Sequence, residues 1–298
     1  MSKDALGYRM KSDWFDVVNY AFMVLFGLVA LFPIYYVLLI SLADYAAVKS
    51  QIIYIYPTTI NFDAYKLAMR GDIFLNSFFV SVFVTIVGTV YSMLISTAAA
   101  YALSKERLVL SKFMFYVIIV PMFFGGGLIP YYLLIKDIHL MNTIWVMIIP
   151  GGAASFYLIL LRNFFQELPA SIEESAKIDG ANDVYILYKI ILPMSAPAIA
   201  TISLFYAVDK WNDYYTALLY ISNRKLFPLQ LVLREVILDF QQVMASPIGA
   251  AIAQKNSAQY SEALKMAIIT IATVPIVCVY PFLQKHFTKG IMFGAVKE

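Results

Sequence analysis

Apolar residues in this chain are gathered into long runs, and the polar residues between them fall mostly into short stretches. About 20 consecutive apolar residues carry an α-helix across a bilayer. Six runs approach or exceed that length, over 17–42, 74–103, 113–135, 143–161, 190–215 and 263–283. The pattern predicts an all-α polytopic membrane protein, with residues 1–298 forming a single transmembrane domain of six helices. Pro33 predicts a kink in the first. In the second, Gly88, Ser92, Ser96 and Ala100 form a small-residue stripe, either a surface for close helix packing or chance in an Ala/Ser-rich segment. The third contains Pro121, Gly125, Gly126, Gly127 and Pro130, and the fourth is broken at Pro150, Gly151 and Gly152. Backbone groups freed by such breaks must be buried in protein or line a wet cavity, unless the helix only kinks.

One polar stretch, 168–193, is long enough to form helices of its own. Ser171 followed by Glu174 has the spacing of a capping box, and Glu173 and Glu174 suit the positive end of a helix dipole. Gly180 supplies the left-handed residue that ends such a helix, and Asn182 offers the next cap. A second short helix follows, with Val184, Leu187 and Ile191 predicted on one side and Pro193 as its stop. The expectation is a pair of short helices joined at a glycine elbow on a membrane surface.

Composition agrees with a membrane protein. Of 298 residues, 61% are hydrophobic and only 14% charged, with a mean hydropathy of +0.75; a soluble domain carries about a quarter charged residues. The net charge of +3 comes from scattered basic residues, which argues against a nucleic-acid partner. Cys278 is the single cysteine, so no intrachain disulfide or thiolate cluster forms. The first sixteen residues are too polar for a signal peptide and the run after them too long, so that run is expected to remain as the first span. Basic residues set the orientation. Lys3, Arg9 and Lys11, then Lys105, Arg107 and Lys112, then Arg162, Lys177 and Lys189, and finally Lys285, Lys289 and Lys297 all fall on one side of six crossings. That side, holding both termini and the 168–193 insert, is expected to be cytoplasmic.

Chemistry is scarce. His139 and His286 fall on opposite sides of the predicted membrane, which separates them from any shared metal or triad. No glycine-lysine phosphate loop is present, so energy for transport must come from a partner or an ion gradient. No charge lies clearly at mid-membrane depth, as an ion-coupled carrier would need. An intramembrane hydrolase is disfavoured by the missing acid-base and metal groups.

The sequence Glu174-Ser175-Ala176, then Gly180, then Ile190, Leu192 and Pro193, resembles the EAA loop of ABC importer permeases, with Ser175 in place of the usual alanine. Trp211-Asn212-Asp213-Tyr214-Tyr215 with Phe227-Pro228-Leu229-Gln230, and the tail with Lys289, Gly290, Gly294 and Lys297, are similar to carbohydrate-type permeases related to the maltose importer. Within that group the chain looks nearest the oligosaccharide permeases that include the alginate importer. The resemblance implies a type I ABC importer permease in the bacterial inner membrane, not itself an enzyme. Its implied partners are a second homologous permease, two ATP-binding subunits carrying ATP and Mg, and an extracytoplasmic solute-binding protein. No cofactor is expected on this chain. The alternative is a stand-alone ion-coupled carrier whose insert is an ordinary loop.

The resemblance makes Glu173, Glu174, Ser175, Ala176, Lys177, Asp179 and Gly180 candidates for coupling to the ATPase, the charged ones being equally readable as a solvated helix face. It makes Lys289, Gly290, Gly294 and Lys297 candidates for a tail contact with it. Asp209, Lys210, Trp211, Asn212, Asp213 and Tyr214 are the candidate substrate path. Trp211, Tyr214 and Tyr215 either form an interfacial aromatic belt or line the outer mouth of a sugar path. Asp209 and Asp213, one turn apart, suit sugar hydroxyls or a gate, and Lys210 suits a nearby acid. Asp239, Gln241 and Gln242 are placed in an outer loop that meets the binding protein.

Overall fold

The computed structural model describes residues 14–43, 60–69, 72–105, 108, 110–245 and 262–295. Described side chains do not include 239–245 or 279–295. No strand occurs among the described residues. The chain divides into two compact units, residues 1–68 with 247–270, and residues 69–246 with 271–298.

In the first unit, α1 (Trp14–Ser41) runs through Pro33 without interruption, its side chains exposed along nearly its whole length. A 28-residue helix that is apolar on every side has no soluble surface and suits lipid. Its C-terminal end is tied by Ser41, whose hydroxyl donates to the Leu38 carbonyl (2.7 Å) and shares a hydrogen bond with the Tyr65 hydroxyl (2.6 Å) of α2 (Asp63–Met69).

The second unit is organised around α3 (Asp72–Ser104), a helix of 33 residues. Ser92, Ser96 and Ala100 are fully buried on it, as the small-residue stripe predicts. In lipid, helices gain little by hiding apolar surface from one another, so association rests on close packing and polar contacts between them. α3 packs on α6 (Ser155–Gln166) and α9 (Ala196–Asn212) along this side. Ser96 and Tyr206 join their hydroxyls at 2.7 Å in the buried seam.

The predicted third span folds as α4 (Ser111–Phe123) and α5 (Leu128–Asp137), bent by 119° at the glycines. Phe124 is extended and Gly127 sits at φ +84°, a turn open to a residue without Cβ. The fourth run is likewise discontinuous: a 3-10 turn over Ile144–Met147, an irregular segment with Gly151 at φ +69°, and then α6, which continues to Gln166. The predicted start of the fifth span is a separate element, α8 (Asp183–Met194), set at 89° to α9. Two described helices are long and apolar enough to cross a bilayer, and four spans result if each bent pair is one. The sixth predicted run lies within α12 (Glu262–Ala295). This unit also holds α10 (Tyr215–Tyr220) and α11 (Leu229–Ala245). Asp239, Gln241 and Gln242 thus belong to helical backbone, not to a loop.

Candidate functional site

The polar insert folds into the expected helix pair. α7 (Ala170–Ile178) ends at Asp179, and Gly180 at φ +83° makes the elbow, its amide donating to the Lys177 carbonyl at 3.0 Å. Asn182 caps α8 by accepting from the Tyr185 amide at 2.8 Å. The Ser171–Glu174 capping box does not form. The helix begins two residues earlier than that box requires, with Pro169 as its cap and no side-chain cap bond. Nor does Val184 share a side with Leu187 and Ile191. Ile186, Leu187 and Ile191 are buried while Val184 is exposed. A π-helical turn follows over Leu187–Ile191 ahead of Pro193, whose missing N–H and ring favour the wider ring over an ordinary turn. Pro193 does not end the helix at once; the chain turns two residues later at Ser195, whose amide donates to Ile191 (2.9 Å).

The structure sorts the insert's candidates by face. Ala176 is buried, packed into the core formed with Leu161 and Phe165 of α6 and Ile186 of α8. Its small side chain therefore brings α7 close to its own chain. Glu173 also turns inward, its side chain only 18% exposed. It pairs with Lys105 at the end of α3 and with Lys177 at 3.1 Å, and Lys177 reaches Asp183 of α8 at 3.2 Å. Burial alone would raise the Glu173 carboxyl, but hydrogen bonds from Lys105 and Lys177, helped by their charges, hold it below its ordinary value. Bonds to Glu173 and Asp183 raise the Lys177 ammonium against the opposing effect of burial. Four side chains thus brace both short helices against α3. On the other face, Glu174, Ser175, Asp179 and Gly180 are exposed, together with Ile178 (85%), Val184 (65%) and Tyr185 (54%).

Two cations outside the insert act at the end of α3 beneath it. Lys105 stands 68 residues before Glu173. Arg162 donates from Nε to the Leu103 carbonyl at 3.0 Å and lies over the Phe115 ring. A cation at the C-terminal end of α3 satisfies a carbonyl that lipid cannot. Lys289, Gly290 and Gly294 lie in the backbone of α12, while Lys297 is outside the described residues.

A cavity of about 450 Å³ opens at the end of α9, lined among others by Tyr131, Pro150, Gly151, Asp209, Lys210 and Asp213. Its wall is fixed from α9. Lys210 Nζ donates to the Met147 carbonyl at 2.8 Å, and the Tyr206 hydroxyl accepts from the Ala154 amide at 2.9 Å. Asp209 accepts from the Tyr157 hydroxyl at 2.8 Å. α9 stops at Asn212, so Asp213 is not on the same helical face as Asp209; it is extended and accepts from the Thr216 amide at 3.1 Å. Both carboxylates nonetheless border one cavity. Lys210 forms no ion pair among the described residues.

Asn212 also borders the cavity, although its amide donates back to the Val208 carbonyl at 2.9 Å. Trp211 does not. It is buried on the opposite side of α9, edge-on to Phe78, with Nε1 donating to the Ala272 carbonyl at 3.1 Å. It is therefore neither part of an aromatic belt nor part of this cavity. Tyr214 and Tyr215 are exposed, and Arg234 lies over the Tyr214 ring. Among the described residues no group of His, Cys, Asp and Glu has the arrangement of a metal site.

Residues 92–293 match the family described as the inner membrane component of binding-protein-dependent transport systems. The chain belongs to this family. The permease is 43% identical to the polygalacturonan/rhamnogalacturonan transport system permease protein YtcP of Bacillus subtilis strain 168, over 97% of this chain and 100% of that protein. The arabinooligosaccharides transport system permease protein AraQ of Halalkalibacterium halodurans is 25% identical over 96% of each chain. Among solved structures, it resembles a chain from the crystal structure of a bacterial ABC transporter involved in the import of the acidic polysaccharide alginate. The TM-score is 0.83 at 33% identity, covering 95% of this permease and 100% of that chain.

Proposed function

We propose that this chain is one permease subunit of an ABC importer for an oligosaccharide, a single transmembrane domain in a bacterial inner membrane. It works with a second homologous permease, two ATP-binding subunits and an extracytoplasmic solute-binding protein. ATP and Mg are held by the ATP-binding subunits, and this chain binds no cofactor. In this reading six spans place both termini and the insert in the cytoplasm, and the C-terminal tail meets the ATPase pair.

The observation that carries the reading is the braced helix pair α7–α8. Its inner side is fixed to α3 by Lys105, Glu173, Lys177 and Asp183, while its outer side presents Glu174, Ile178, Val184 and Tyr185. A rigid element with an uncovered apolar and acidic face is suited to be gripped and moved by another protein. When ATP draws the ATPase pair together, motion of the gripped face passes through the ion pairs to α3, and α3 carries it to α6 and α9. The cavity at the end of α9 then opens to alternate sides of the membrane.

The test is to purify the chain from its native host with its neighbours and to assay uptake into proteoliposomes. An ATPase is expected to copurify, and Gly180→Pro is expected to abolish ATP-dependent uptake while the permease still assembles. Absence of any ATPase, together with intact uptake by Gly180→Pro, overturns the proposal.

A further inference from the structure

The charge of the α9 cavity bears on which part of a sugar it can hold. Two carboxylates, Asp209 and Asp213, and one ammonium, Lys210, are the charged groups among the described residues that line it. They leave one net negative charge on the cavity wall. The cation is also committed. Its ammonium is bonded to the Met147 carbonyl, and its stem lies on α3 at Gly88, where a Cβ would stand 3.2 Å from Lys210 Cδ. The two acids stay open to further donors, since Asp209 accepts from one hydroxyl and Asp213 from one amide. Tyr131, 42% exposed, offers a ring face, and the backbone at Gly151 has no atom within 4 Å of its missing side chain. Acceptors for hydroxyl groups, an aromatic wall and bare backbone together suit a neutral sugar ring. A carboxylate entering the same space meets the field of two like charges with one engaged cation to offset them.

We infer that this cavity holds one uncharged, hydroxyl-rich sugar unit and discriminates against a carboxylate-bearing unit at the same position. The inference rests on the oligosaccharide-permease reading and narrows it. Recognition of acid groups in a substrate of mixed charge then belongs to another component of the importer.

The experiment uses the intact permease–ATPase complex in nanodiscs, without the solute-binding protein. Saturation-transfer NMR compares the methyl glycoside of galacturonate with its methyl ester, which removes the carboxylate charge at the cost of one added methyl group. The ester is expected to bind about fivefold or more tightly than the acid, the size expected of one unbalanced charge. Asp209→Asn is expected to bring the two together, and Lys210→Gln to weaken the acid further. Equal or tighter binding of the acid by the unmodified complex overturns the inference, as does binding of neither probe. ATP-dependent uptake by the same complex is scored separately, so loss of the importer reading is distinguishable from loss of this one.

Discussion

Lys210 and Met147 are joined by a 2.8 Å hydrogen bond, and one turn earlier on the same helix Tyr206 holds Ala154 at 2.9 Å. The two bonds clamp both ends of the irregular segment that replaces the middle of the predicted fourth span. A carbonyl at the end of a 3-10 turn and an amide at the start of α6 have no partner within their own helices, and α9 supplies both. The cavity's shape therefore depends on α9 as much as on the segment itself.

Tyr206→Phe tests this clamp. The ring still fills its buried space, but the Ser96 hydroxyl and the Ala154 amide lose their partner. Leaving buried polar groups unmatched costs about 1–3 kcal/mol. A lowered thermal midpoint of the purified permease is expected, larger than that from Tyr157→Phe, whose partner Asp209 is exposed and can turn to water.

Gly88 gives a second handle on the same wall. A Cβ there would lie 3.2–3.3 Å from three carbons of Lys210. The long stem can shift by a few tenths of an ångström, so Gly88→Ala should be nearly silent. Gly88→Val adds branching that the stem cannot clear, so it is expected to displace the ammonium from Met147. Substrate-stimulated ATP hydrolysis by the assembled importer should fall for Val and not for Ala; equal effects would remove Gly88 from the account.

The brace under the insert makes a charge-specific prediction. Glu173→Lys sets three cations together, and the lost pairing should loosen α7 and α8. Adding Lys105→Glu restores one opposite pair and should recover much of the loss, read as copurification of the ATPase. The pH dependence follows from the shifts. Glu173 is lowered from its ordinary 4.5, so its contribution is present above that value and lost as pH falls through the lowered one. Lys177 is raised from 10.5, so its contribution is present below that value and lost as pH rises through the raised one. A spin label at Asp179 should therefore keep constant mobility across neutral pH and loosen only at the two extremes.

What the sequence made legible was local. The apolar runs, the elbow at Gly180, the cap at Asn182 and the breaks at Pro150–Gly152 all follow from residues within a turn or two of each other. The small-residue stripe proved to be a packing surface because its spacing alone places it on one side of α3. The errors have the same logic. Val184 was assigned to the buried side by a 3.6-residue period, yet Ile186 takes that side with Leu187 and Ile191. Trp211 follows an apolar run into a polar segment, which is the pattern of an interfacial residue, yet its partner is a carbonyl 61 residues away. Lys105 reaches Glu173 across 68 residues, and spacing carries no trace of such a contact.

Gly180 separates backbone geometry from side-chain contact in one position. Its φ of +83° lies where a residue with Cβ pays about 1–2 kcal/mol, yet nothing stands within 4 Å of the place a Cβ would occupy. Asparagine tolerates this conformation far better than a β-branched residue does. Gly180→Asn should therefore keep most ATP-dependent uptake, and Gly180→Val should lose it through the strained turn alone. Size does not account for such a difference, because the space outside the elbow is open. If Asn and Val are equally harmful, the bare surface of the elbow is needed by the ATPase, and the role of Gly180 is close approach instead of handedness.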